Sequence, residues 1–263
     1  MSTVHAISRA MDAWAPAAWA MPRDNVGLLV GDGEGKVRRV LVALDCTDAV
    51  LAEAVEGGYD LLVTHHPLFR DPVLNVTTDT PVGKKIFTLI ARGIALFCAH
   101  TNLDAAPDGV NDLLFARLPL SEKAPLVPRD AKHPDTPTIG LVGTLEKPLP
   151  LSEWAGQVSV ALETPPVRYV GDPDRIVKKI ALCGGSGASL VSAAIAQGCD
   201  VLITGDIRYH DACDANDAGL ALIDATHYAT EIPIVDAVAA YIMKQFPTLT
   251  VRTARASRQI FKI

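Results

Sequence analysis

Residues Val37–Pro67 read VRRVLVALDCTDAVLAEAVEGGYDLLVTHHP, and this stretch decides the fold class. Val37–Leu44 is β-branched and apolar, the composition of a buried strand. Thr47–Glu56 follows as a helix, with Thr47 or Asp48 as its cap. Gly57 and Gly58 end it, and Asp60–Thr64 (DLLVT) is a second short buried strand. Strand, helix and strand in that order form a βαβ unit, the building block of a parallel sheet. The second strand stops at His65-His66-Pro67.

The alternation continues on both sides of a break. Pro81–Arg92 reads as a helix closed by Gly93, Ile94–Ala99 as a strand and Asp108–Arg117 as a helix. Pro119–Pro137 carries five prolines and little periodicity. Beyond it, Thr138–Leu145, Val167–Val170, Ile176–Cys183, Asp200–Thr204 and Leu220–Ala225 read as strands. Leu151–Leu162, Ser189–Gln197 and Tyr228–Gln245 read as helices, the last interrupted near Pro233. The expected fold is α/β, with two pseudo-symmetric lobes built on mixed, largely parallel sheets. Residues 1–120 form the first lobe, 121–137 a proline-rich linker and 138–263 the second lobe.

The lobes look duplicated. Ala54–Thr64 (AVEGGYDLLVT) and Ala194–Thr204 (AIAQGCDVLIT) agree at five of eleven positions, 140 residues apart. Gly93–Ala99 and Gly219–Ala225 then agree at four of seven, in the same order. If the lobes are related by a pseudo-twofold axis, a site between them can draw ligands from both.

Composition excludes several classes. The 263 residues are 49% hydrophobic and 21% charged, as in a folded globular chain. No apolar run reaches the roughly 18 residues that a membrane span needs. Residues 1–20 lack the basic start and contiguous apolar core of a signal peptide. Twenty-four Lys and Arg against 30 Asp and Glu give −6, with no basic block, which argues against nucleic acid as a partner. The five cysteines include no CxxC pair and read as reduced thiols of a cytoplasmic protein.

Five of the seven histidines follow predicted strands: His65, His66, His100, His210 and His227. Asp104, Asp206 and Glu231 stand near them. Ligands of α/β sheets bind outside the carboxyl ends of the strands, so these residues lie where a site is expected. His65 and His66 converge if the chain turns at Pro67. Asp104 lies four residues past His100. His227 and Glu231 are at i and i+4, on one face of a helix. Three imidazoles and two carboxylates exceed what one zinc uses in catalysis, whereas two bridged ions about 3.5–4 Å apart would use them all. Zn, Mn, Fe, Co and Ni all suit this thiolate-free set. His100, His210 and Asp206 stand in reserve. Two weaker features leave alternatives open. Gly184-Gly-Ser-Gly187 is either an anion-cradling turn before a helix or a plain tight turn. Asp45 either lines the site or caps a helix.

Four motifs in order carry a resemblance: Asp24-Asn-Val-Gly-Leu-Leu-Val-Gly-Asp32, Thr64-His-His-Pro-Leu-Phe69, His100-Thr-Asn-Leu-Asp104 and His227-Tyr-Ala-Thr-Glu231. Together they resemble the Nif-three-like family, also known as homologues of type 2 GTP cyclohydrolase I, over nearly the whole chain. The resemblance implies a dinuclear metal centre on a two-lobed α/β fold, assembled as a toroidal homohexamer. It implies two divalent transition-metal ions per chain, held by His65, His66, Asp104, His227 and Glu231. The chain departs from the family pattern at Arg23, where Trp is usual, and at Thr226, where Gly is common. It also has Ile232-Pro-Ile where Arg-Gly-Gly often follows the glutamate. The inserted domain of some members is absent.

The expected function is a metal-dependent hydrolase acting on a small phosphorylated or nucleotide-like substrate, with His100 or His210 as proton shuttle. The alternative is a non-catalytic metal-binding oligomeric scaffold, or a regulatory or metal-handling protein.

Overall fold

The computed structural model describes residues 2–127 and 138–261. In chain order the elements are β1 (Ser2–Thr3), α1 (Val4–Trp14), β2 (Gly27–Val30), β3 (Lys36–Val37), β4 (Arg39–Ala43), α2 (Asp48–Glu56), β5 (Leu61–Thr64), α3 (Pro81–Arg92), β6 (Ala95–Cys98), α4 (Thr101–Ala105) and α5 (Val110–Arg117). There follow β7 (Leu120–Pro125), β8 (Leu141–Pro150), α6 (Leu151–Ala161), β9 (Arg168–Val170), β10 (Ile176–Leu182), α7 (Val191–Ala196) and β11 (Val201–Thr204). The last are α8 (Tyr209–Asp217), β12 (Ala221–Asp224), α9 (His227–Glu231), α10 (Pro233–Gln245) and β13 (Thr250–Thr253).

The chain divides into two compact units, and their bounds correct the sequence-based division. One comprises Met1–Ala106 with Ile234–Ile260; the other contains Pro107–Pro233. Residues 107–120 belong to the second unit because Leu120–Pro125, expected as linker, is a strand paired antiparallel with β8. Residues 234–260 return to the first because β13 pairs parallel with β4. Both corrections have the same cause: an edge strand joins whichever sheet offers it unpaired backbone groups. Residues 128–137 of the expected linker lie outside the described residues.

The first unit's sheet has the order β13-β4-β5-β6-β2, all parallel except β2. Strands β4, β5 and β6 read as unbroken apolar runs because both faces are covered. On one face Leu41, Ala43, Leu62 and Leu96 pack beneath α2 and α3. On the other, Val42 and Val63 meet Ile234, Val235 and Val238 of α10. The caps are as expected: Thr47 Oγ1 accepts from Val50 N, and Gly93 ends α3 at φ 65°. Residues β-branched or bulky at Cβ avoid that left-handed conformation, which glycine takes freely.

The second unit's sheet has the order β7-β8-β10-β11-β12-β9, mixed, with a parallel trio at β10, β11 and β12. Ile180, Leu182, Val201 and Ile203 face Trp154 of α6, while Ala181, Leu202 and Leu222 face Ala194 of α7.

The two parallel trios repeat down to single hydrogen bonds. Asp60 Oδ2 accepts from Arg38 N and Arg39 N at 2.8 and 2.9 Å. Asp200 Oδ2 accepts from Lys178 N and Lys179 N, both at 2.9 Å. The backbone oxygens of the same two aspartates accept from Ala95 N and Ala221 N. Each trio is flanked by an antiparallel strand, β2 on β6 and β9 on β12.

Candidate metal centre

In the first unit, β5 and β6 deliver three histidines. His65 and His66 follow Thr64, and His100 follows the end of β6. One ring nitrogen from each lies within 4.8 Å of the other two. The ring centroids are 5.0, 5.3 and 5.7 Å apart.

Each ring is tied by its other nitrogen. His65 Nδ1 lies 2.9 Å from Ala99 O. A carbonyl only accepts, so Nδ1 carries the proton and Nε2 keeps its lone pair. His66 Nδ1 donates to Asp45 Oδ1 at 2.8 Å. His100 Nδ1 donates to both oxygens of Asp24, at 2.8 and 2.9 Å. Tying Nδ1 to an acceptor is how proteins orient metal-binding imidazoles and raise their basicity. The turn at Thr64 helps both histidines converge, because Thr64 Oγ1 donates to His66 O.

Asp104, in the short helix α4, places Oδ1 at 3.4 Å from His65 Nε2. Asp24 also accepts from the Thr101 backbone and hydroxyl. Burial pushes the Asp24 carboxyl up, but His100 and Thr101 together outweigh it and hold it below the ordinary carboxylate range. Burial lowers the pKa of His100, an effect that Asp24 partly offsets. The ring is therefore neutral near pH 7, as a ligand or a general base must be.

In the second unit, His227 and Glu231 open and close the one-turn helix α9. His227 Nδ1 donates to Asp206 Oδ2 at 2.7 Å, and its Nε2 lies 3.0 Å from Glu231 Oε2. The backbone around them is strained at non-glycine residues: Asp206 has φ 54° and Thr226 φ 65°. A β-branched residue at positive φ is an outlier. Three interactions hold Thr226 in place. Its N–H donates to Asp224 Oδ1, its hydroxyl accepts from Ala229 N, and Thr230 Oγ1 donates to its carbonyl. Position 226 is where the resemblance leads one to expect Gly, and its geometry is glycine's. The threonine supplies the cap of α9 in exchange.

The glycine loop turns out to support the carboxylate. Gly184 N donates to Asn111 Oδ1, Gly185 N to Thr230 Oγ1 and Gly187 N to Thr204 Oγ1. Those three donors are committed within the protein, which favours the tight turn. A methyl group on Gly185 would lie 2.2 Å from Glu231 Oε1 and 3.3 Å from His227 Nε2. Gly185 is required because the backbone there runs against the donor groups, whereas Gly184 and Gly187 are crowded by Val110 and by Cys183 and Thr204.

His65, His66, His100 and Asp104 thus gather in the first unit, and His227 and Glu231 in the second. His210 does not join them: it is exposed on α8, its ring edge-on to Tyr209 at 5.5 Å. Asp45 is resolved as a partner of His66, while Thr47 alone caps α2. Sequence alone assigns no role to Asp24, which lies 76 residues before His100 and carries no local signal of the pairing. Asp206, held in reserve, is the partner of His227. The donor atoms are imidazole nitrogens and carboxylate oxygens, which fit a divalent first-row ion.

Fold and donors define a mixed α/β protein whose strand ends present histidine and carboxylate groups able to hold metal. The family described as Duf34/NIF3 (NGG1p interacting factor 3) matches residues 2–259, and the chain belongs to it. It is 39% identical to a Streptomyces coelicolor protein named "GTP cyclohydrolase 1 type 2 homolog", covering 92% of this chain and 86% of the relative. A protein of the same name from Clostridium acetobutylicum is 38% identical, covering 84% and 82%. In fold, the chain resembles a Bacillus cereus protein related to NIF3, with a TM-score of 0.92 at 24% identity over 100% of this chain and 99% of that one.

Proposed function

We propose that this chain is a dinuclear metal-dependent hydrolase of a small phosphorylated or nucleotide-like substrate. The observation that carries the reading is the tying of four histidines, His65, His66, His100 and His227, through Nδ1 to an acceptor. Burial alone asks for one partner per ring; here the second nitrogen of His65 and of His227 also faces a carboxylate, Asp104 and Glu231, the arrangement of oriented metal-binding imidazoles. In this reading His65, His66, Asp104, His227 and Glu231 hold two divalent transition-metal ions, and the working form is a cytoplasmic homohexamer. The names of the two relatives support a nucleotide-like substrate.

Ions bound there supply Lewis-acid polarisation of the scissile centre and activation of water near neutral pH. The chain's own residues do the rest. His100, neutral through burial, accepts a proton at Nε2, and Asp24 stabilises the imidazolium that forms. Asp45 and Asp206 fix the rings of His66 and His227 by accepting from Nδ1, which directs Nε2 of His227 toward Glu231. His210, exposed on α8, is given no role in this reading.

Elemental analysis and turnover screening against nucleotides and phosphoesters test this together. Purified protein should carry up to two ions per chain, fewer after Asp104→Ala or Glu231→Ala. Activity should rise through neutral pH, vanish on chelation and return with Mn²⁺ or Zn²⁺. His100→Ala should lose roughly 10²–10⁴-fold in turnover with its metal kept. No metal after reconstitution with several ions would sink the reading. Equal background rates in wild type and Glu231→Ala would favour a non-catalytic scaffold. Light scattering tests the hexamer.

A further inference from the structure

A groove of about 880 Å³ runs between α2 and the edge strand β13 of the first unit. Its size falls within the roughly 300–1,000 Å³ usual for small-molecule sites. It shares no residue with the histidine cluster. Four arginines line it: Arg39 at the start of β4, and Arg252, Arg255 and Arg258 at every third residue from β13 onward. The carboxylates on its walls are Glu53 and Glu56 of α2, so the lining is net positive on a chain of net −6.

The wall is built. Glu53 uses both oxygens on backbone donors, Arg255 N at 3.1 Å and Ala256 N at 2.9 Å, which fastens the segment carrying the arginines to α2. Arg258 Nε donates to Arg255 O at 3.0 Å and so folds back on the same turn. Arg39 stacks over the Tyr59 ring, its central carbon 5.1 Å from the centroid. Stacking restrains the guanidinium plane and leaves its N–H edge available. Among the described residues, none of the four arginines is in an ion pair with a carboxylate. Planar forks of this kind match phosphate oxygens two at a time. Several forks in one groove match more than one phosphate.

We infer that the α2–β13 groove is a second binding site, for a small molecule carrying a chain of two or more phosphates. It is independent of the hydrolase reading. The shared chemistry is the polyphosphate chain, which a nucleoside triphosphate or an inorganic polyphosphate both supply.

Calorimetric titration of the full, metal-loaded chain with inorganic triphosphate, GTP and guanosine tests it. Inorganic triphosphate should bind, more weakly as salt rises. Arg252→Glu with Arg255→Glu should weaken binding by roughly 10–100-fold, the value of one to two charged hydrogen bonds. The paired Lys variants, which keep charge but lose the fork, should fall in between and guard against a folding artefact. His66→Ala should leave triphosphate binding in place. Equal affinities for triphosphate and GTP would mean that the phosphate chain alone is recognised. Tighter GTP binding would add a nucleoside contact near Tyr59. The inference is overturned if triphosphate does not bind, or if guanosine binds as well as GTP. It also falls if binding survives charge reversal but is lost in His66→Ala, or if charge reversal changes only the oligomeric state.

Discussion

Gly185 shows how little space surrounds the donor groups. Its φ is 66°, and a methyl group there would sit 2.2 Å from Glu231 Oε1, which leaves no room for a side chain. Gly185→Ala should therefore cost about 1–3 kcal/mol, from backbone strain and from displacement of the carboxylate. A lower melting temperature together with lower metal content checks this; a loss of stability with metal content intact would mean that Glu231 had not moved. The cysteines offer a contrast in reactivity. Burial raises the Cys46 thiol to about 11, so at pH 8 only about one molecule in 10³ carries the thiolate. Burial raises Cys98 and Cys199 as well. Cys213 is the partly exposed thiol. Alkylation of the native chain at pH 8, read by peptide mapping, should label Cys213 first, and Cys46 should react faster only as pH climbs toward 11.

At the scale of elements, the duplicated parallel trio makes paired experiments possible. Asp60 bridges two backbone N–H groups at the start of β4, and Asp200 bridges two within β10, just before its parallel pairing with β11. Asp60→Ala and Asp200→Ala should each destabilise by about 1–2 kcal/mol, with Asn recovering part of the loss. Denaturant unfolding of the four variants measures it; a large asymmetry would mean that the two aspartates, though alike in geometry, do not carry like loads. Most of these elements are legible in sequence. Pro81–Arg92 and its Gly93 stop match the observed bounds of α3, and the break at Pro233 separates α9 from α10. Apolar runs, caps and breakers act between near neighbours, so they can be read locally. Helices α1 and α8 and strands β2 and β13 fall outside that local reading. Strand β13, with its sequence Thr-Val-Arg-Thr, has one buried residue and becomes a strand by pairing with β4.

On the scale of the whole chain, the first unit is closed by residues that arrive last. Val251 and Ala254 are buried there, and Thr250 N and Ala254 N donate to Arg38 O and Val42 O. Deleting residues 246–263 should expose the β4 edge and weaken the first unit ahead of the second. Hydrogen exchange should then speed up at β4 and β5 while β10, β11 and β12 stay protected; uniform protection would show that β13 contributes nothing to the first unit. Among the described residues no helix is long and apolar enough to cross a membrane.

The sequence by itself determined the α/β class and the duplicated motif, and it singled out His65, His66, Asp104, His227 and Glu231 as candidate donors. Each of these rests on spacing within a few residues or on a repeat that can be aligned. Tertiary structure alone decided which residues orient those donors: Asp24 reaches His100 across 76 positions, Asp45 reaches His66 across 21 and Asp206 reaches His227 across 21. It also decided that residues 234–260 belong with the first unit and that four arginines share one groove. Such partnerships depend on where the sheet order brings distant strand ends and edges together, and no local pattern records that order.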